Sequence, residues 1–140
     1  MGAYFAHMRP CIYIVDDEPD FQTILHTWLS HAYDVVPLKD GNELIGALHV
    51  KTPDLVLLDL HLPGADGFEL CRRVRATPGL SKVPVLFLTA SHEGRDYAKN
   101  IKAGGSGFLT KPIGRTRLLA ALDDLLRTPH LTTVDSGGGD

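Results

Sequence analysis

The chain alternates two hydrophobic periods, and that alternation restricts its fold more than any other feature. Five short apolar runs, at 11–15, 33–36, 54–59, 83–89 and 107–110, are each followed by a stretch with helical spacing. Cys11 to Val15 (CIYIV) and Asp54 to Asp59 (DLVLLD) are nearly continuous in apolar character, which suits strands covered on both faces. Tyr33 to Val36 carries the polar Asp34 and runs into Pro37, which predicts a short edge strand stopped by the proline. Val83 to Thr89 and Gly107 to Thr110 complete the set. Pro19 suits the first turn of a helix, and Phe21, Ile24, Leu25, Trp28 and Leu29 then fall on one helical face. Further helices are expected over Gly41–Val50, with Leu44, Ile45 and Leu48 inward, and after Gly67, with Phe68, Cys71 and Val74 inward and Pro78-Gly79 as the stop. Another is expected over Glu93–Ala103, ended by Gly104-Gly105. The last, Arg115 to Arg127, buries Leu118, Ala121, Leu122, Leu125 and Leu126.

Strict alternation means parallel strands, because parallel neighbours need a crossover connection. The expectation is an α/β fold, a five-stranded parallel sheet with five helices on both faces. The most apolar run is the third, so it belongs in the middle, as in the flavodoxin-like order 2-1-3-4-5. A length of 140 residues is one domain's worth. Fourteen Lys and Arg against seventeen Asp and Glu leave a net charge of −3, which argues against nucleic-acid binding through bulk charge. No apolar run approaches the ~20 residues of a membrane span. Two cysteines, Cys11 and Cys71, are too few for a secreted disulfide framework and read as small core residues. The expected compartment is the cytoplasm. Residues 1–8 read as a tag or frayed end, 9–128 as the folded unit, and 129–140, with Gly137 to Gly139, as a tail or linker.

In sheets of this kind ligands bind outside the carboxyl ends of the strands. The first strand ends in Asp16-Asp17, the third in Asp59, the fourth in Thr89 and the fifth in Lys111. Clustered carboxylates repel one another, so stability does not explain the coincidence. The chemistry suggested is phosphoryl transfer to a carboxylate. Asp can form an acyl phosphate, paired acids can hold Mg²⁺, and a lysine and a hydroxyl can meet the phosphoryl oxygens.

Asp16-Asp17, Asp59 to Gly67 (DLHLPGADG), Thr89-Ala90 and Lys111-Pro112 together resemble the receiver domain of two-component response regulators. The resemblance covers about residues 9 to 127. It implies that Asp59 is the phosphoacceptor and that Mg²⁺ (or Mn²⁺) is bound by Asp16, Asp17, Asp59 and the backbone carbonyl of His61. It further implies that Lys111 and Thr89 contact the phosphoryl group, as does the backbone of His61 and Ala90. Thr89 and Phe108 would form the switch, with a cis peptide before Pro112. Many relatives carry Tyr where Phe108 stands. The implied phosphodonor is a sensor histidine kinase or a histidine phosphotransfer protein. The face made by the fourth helix, fifth strand and last helix is the expected surface for an output domain, a downstream protein or a phosphorylation-dependent dimer. Such a domain is no turnover enzyme; it catalyses its own phosphorylation and autodephosphorylation.

Plainer readings stand beside these. Asp59 alone could cap a helix, Asp17 could cap the Pro19 helix, and Asp66 is expected to cap the third helix. Thr89 alone is ordinary strand material, and Phe108 alone could be plain core. Seven histidines include no pair at helical metal-binding spacing. Ser106 between Gly105 and Gly107 follows a helix, the wrong context for a phosphate loop. A phosphohydrolase would want an acid where His61 stands, and a degenerate receiver would lack the acids present. Asp123-Asp124 makes the last helix unlike the basic one of winged-helix transcription factors. It looks nearer to receivers of hybrid kinases, enzyme-output regulators or single-domain relays. His61, two residues after Asp59, is a candidate for tuning the lifetime of an acyl phosphate.

Overall fold

The apolar runs form five parallel strands in one sheet. They are β1 (Cys11–Val15), β2 (Asp34–Leu38), β3 (Leu55–Asp59), β4 (Val85–Thr89) and β5 (Gly107–Thr110), in the order β2-β1-β3-β4-β5. The computed structural model describes residues 9–90, 99 and 102–127. Among these lie four helices, α1 (Pro19–Leu29), α2 (Gly41–Val50), α3 (Gly67–Ala76) and α4 (Arg115–Arg127). The helix expected over Glu93–Ala103 lies for the most part outside the described residues.

Alternate residues of each strand face opposite sides of the sheet, and two separate cores result. On one side Tyr13, Val15, Val56, Leu58, Val85 and Phe87 pack with Leu44 and Leu48 of α2 and Leu70, Cys71 and Val74 of α3. On the other, Ile12, Ile14, Leu55, Leu57, Leu86 and Leu88 meet Leu25 and Leu29 of α1 and Leu118, Leu122 and Leu125 of α4. β1, β3 and β4 are buried along their whole length, as their unbroken apolar runs require. Each fully buried aliphatic chain contributes about 1.5–3 kcal/mol relative to exposure.

Three local expectations need correction. β2 does not stop before Pro37; it continues to Leu38, with Ile14 opposite Pro37. Only one side of an edge strand is bonded, so a missing N–H can be accommodated on the other. Ile24 is 45% exposed rather than inward, because Leu25 and Leu29 take the contact with the sheet. The helix cap of α1 is not Asp17: Glu18 stands at that position without a side-chain bond to the helix. Asp66 does cap α3, accepting from the Phe68 N–H at 2.9 Å.

The buried thiol of Cys71 makes the fold sensitive to alkali. Burial pushes it from 9.0 up to about 11, against the pull of Arg75 and Arg72. A group that holds its proton more tightly when folded stabilises fully below its unfolded pKa and loses that contribution as pH rises through the folded value. The loss should fall between pH 9 and 11 and reach about 2–3 kcal/mol. Urea midpoints across that window will show it, and Cys71→Ala, less stable at pH 7, will show the shallower slope.

Candidate functional site

Three polar residues are buried among the described residues: Asp16, Asp59 and Thr89. Asp16 directly follows β1, Asp59 is the last residue of β3 and Thr89 the last of β4. Lys111 directly follows β5, and the peptide joining it to Pro112 is cis. Register aligns these ends, with Asp59 opposite Leu88 and Thr89 opposite Thr110. The parallel sheet therefore gathers residues 95 positions apart in sequence at one edge.

Lys111 is the hub. Its Nζ lies 2.8 Å from Asp16 Oδ2, 3.3 Å from Asp59 Oδ2 and 3.3 Å from Glu18 Oε1. The ammonium also sits over the Phe21 ring, 4.4 Å from its centre. Asp16 Oδ1 accepts from the Glu18 N–H and Asp59 Oδ1 from the His61 N–H, both at 2.9 Å. Glu18 and Phe21 were not singled out for this site by the sequence. In the sequence Phe21 falls on the apolar stripe of its helix, and Glu18 carries a signal only in following the acid pair directly.

Burial pushes the Asp16 carboxyl up, against the hydrogen bonds from Lys111 and the Glu18 N–H. Burial also works to lower Lys111, but its bond to Asp16 and the nearby Asp59 charge outweigh it and the ammonium is held up. Both partners thus move the same way. Asp16 is fully enclosed, so desolvation dominates there, whereas Lys111 keeps some solvent and meets several carboxylates. Asp16, Asp17 and Asp59 each bring an oxygen within 4.8 Å of the others, with Asp17 exposed to solvent. Three carboxylates, those of Asp16, Asp59 and Glu18, meet one ammonium, and Asp17 stands beside two of them. An all-oxygen set with surplus negative charge and one open side fits a hard divalent cation.

The remaining residues frame this edge. His61 is exposed, and its Nε2 lies 3.4 Å from Thr89 Oγ1, a long contact. Ala90 is exposed just beyond β4, and Phe108 is half-buried on β5, opposite Phe87 and against the core containing it. Ser106 is spoken for structurally, its hydroxyl accepting from the Val85 N–H at 3.1 Å. Gly67 allows α3 to start close under the site: a Cβ there would come within 2.8 Å of Leu60 Cα and 3.0 Å of the Asp59 carbonyl. Beside Lys111 opens an apolar groove of about 410 Å³ lined by Phe21, Ile24, Trp28, Lys111, Pro112 and Ile113.

Comparison with known proteins places this edge in context. A family model described as the response regulator receiver domain matches residues 12–123. The chain is 35% identical over 127 residues to the transcriptional regulatory protein GltR of Pseudomonas aeruginosa, covering 90% of this chain and 52% of that protein. The chain thus spans about half the length of this curated relative. The receiver domain of a signal transduction histidine kinase from Syntrophus aciditrophicus superposes with a TM-score of 0.77 at 31% identity, covering 84% of this chain and 90% of that one. The receiver domain of a sensor histidine kinase from Pseudomonas aeruginosa, solved with a magnesium ion coordinated in its active-site cleft, gives 0.77 at 30% identity, over 85% of this chain and 98% of that one.

Proposed function

The chain belongs to the response regulator receiver family, and from that premise we propose that it takes a phosphoryl group onto Asp59 in a Mg²⁺-dependent reaction. The observation that carries this is the contact of Lys111 Nζ with both Asp16 and Asp59, beside Asp17, at the carboxyl edge of the sheet. Asp16, Asp17, Asp59 and the His61 carbonyl would hold the cation, Mg²⁺ or Mn²⁺. Bound there, it supplies charge neutralisation for the transferring phosphoryl group. An Asp59 carboxylate oxygen forms the bond to phosphorus as the phosphorus–nitrogen bond of the donor phosphohistidine breaks, and the leaving imidazole retains the electron pair and takes up a proton. Lys111 turns from the carboxylates to the phosphoryl oxygens. The Thr89 hydroxyl and the His61 and Ala90 N–H groups donate to the same oxygens. His61 Nε2 stands where it meets Thr89 before that movement. Phe108 fills space that Thr89 leaves, so the new charge biases two arrangements of one fold.

The chain on this reading is a signalling domain that catalyses only its own phosphorylation and autodephosphorylation, in the cytoplasm. The donor is a histidine kinase or a histidine phosphotransfer protein. The apolar groove adjoining Lys111 supports a docking place for it, because exposed Ile24 and half-buried Phe21 and Trp28 line it together with Lys111, which contacts Asp59. Ile24→Glu should slow transfer from a phosphorylated histidine donor about tenfold and leave labelling by acetyl phosphate unchanged; quench-flow with each donor separates the two. An output domain or downstream protein, or a second copy after phosphorylation, would use the face containing β5 and α4.

The test is intact-mass measurement after incubation with acetyl phosphate. One added phosphoryl mass that appears with Mg²⁺ and vanishes with chelator is the expected result. Labelling indifferent to chelator removes the cation from the reading.

A further inference from the structure

We propose that Gln22 of α1 is a positioning residue that sets the Mg²⁺ affinity of the acidic cluster by fastening the β1–α1 loop; this rests on the reading of that cluster as a Mg²⁺ site. The Gln22 side-chain amide Nε2 lies 2.8 Å from the Ile14 carbonyl, 3.1 Å from the Asp16 carbonyl and 3.0 Å from the Leu38 carbonyl. The Leu38 carbonyl also accepts from the Asp16 N–H at 3.0 Å. Both backbone polar groups of Asp16 are therefore drawn into one knot that joins the ends of β1 and β2 to α1. The Gln22 N–H closes it by donating to the Glu18 carbonyl at 3.1 Å. Asp17 and Glu18 lie between, in a loop held at both ends.

The orientation of the amide is unambiguous. Turned over, its oxygen would face three carbonyl oxygens. As placed, Oε1 is buried and accepts no hydrogen bond from any described residue. Two amide hydrogens also serve three acceptors, so one bond is shared. What the amide does achieve is fixing the peptide that carries Asp16 and precedes Asp17. Mg²⁺ demands near-ideal octahedral geometry, whereas Ca²⁺ tolerates more ligands and looser angles. Loosening the loop should therefore weaken Mg²⁺ more than Ca²⁺, which separates positioning from a simple change of charge or of fold.

Calorimetric titration of the full chain with Mg²⁺ and with Ca²⁺ tests this on wild type, Gln22→Leu and Gln22→Met. Both replacements are uncharged, and Met keeps the unbranched shape if Leu fails to fold. We expect Mg²⁺ affinity to fall about tenfold, the lower range for losing an outer partner of a metal ligand, with a smaller fall for Ca²⁺. Equal weakening of both ions, unchanged Mg²⁺ binding, or two variants that do not fold at all would each overturn the proposal in favour of a purely structural Gln22. Wild type that binds no Mg²⁺, or binding that survives Asp17→Asn, would instead sink the underlying reading of the site.

Discussion

Asp59→Asn should take up no phosphoryl group from acetyl phosphate and Mg²⁺, a fall of at least about a hundredfold for loss of a reacting group. An amide oxygen is a poor nucleophile, and the change is otherwise conservative. The Asn oxygen can still accept from the His61 N–H, which now donates to Asp59 Oδ1 at 2.9 Å. Removing one of the carboxylates crowded around Lys111 also relieves repulsion. The variant should therefore unfold in urea at the wild-type midpoint or above it, measured without Mg²⁺. That combination of intact fold and lost labelling assigns the acceptor. A folded variant that still gains the phosphoryl mass would move the role to Asp16 or Asp17.

Lys111→Met should lose stability in the absence of divalent cation, by about 2 kcal/mol at pH 7. That lies between the values for exposed and fully buried ion pairs, as befits a lysine with 18% of its side chain exposed against an enclosed Asp16. The variant leaves Asp16 and Asp59 buried without their ammonium. Asp16 is already held above its ordinary range by burial, and Lys111, ahead of the Glu18 N–H, is the largest pull the other way. Without that pull its folded pKa rises further. Stability from a raised group is fully present below its unfolded pKa, near 3.8, and drains as pH rises through the folded value. The deficit should therefore shrink on acidification toward pH 4, and Mg²⁺ should restore more stability than it adds to wild type. Urea titrations at pH 5 and 7, with and without Mg²⁺, check all three statements. Labelling by acetyl phosphate should fall as well, because the phosphoryl oxygens lose their facing cation.

The sheet was legible because period-two and continuous apolar runs are local signals. β1, β3 and β4 announce their burial in five-residue stretches, and α2 and α4 were expected at the bounds they have. The gathering of Asp16, Asp17, Asp59, Thr89 and Lys111 followed from topology, since parallel strands put their carboxyl ends on one side. What escaped notice depends on side-chain reach. Phe21 under Lys111 and Glu18 against it are contacts across ninety residues or more, with no periodic trace. Gln22 occupies a position that reads as a polar helix surface until three carbonyls converge on its amide. The extension of β2 through Pro37 escapes a local reading even of an edge strand, because proline is a stop signal by itself and only the one-sided bonding of the strand lets it run on to Leu38.

Leu57 and Leu58 are joined by a peptide bond yet belong to different interiors, one packed with α1 and α4 and the other with α2 and α3. Volume removed from one interior cannot be filled from the other, because the backbone of the sheet stands between them as a wall. The two halves of the domain can therefore be redesigned, or can drift, as independent packing problems. At the carboxyl edge, where that wall ends, Asp16, Asp59 and Lys111 meet instead.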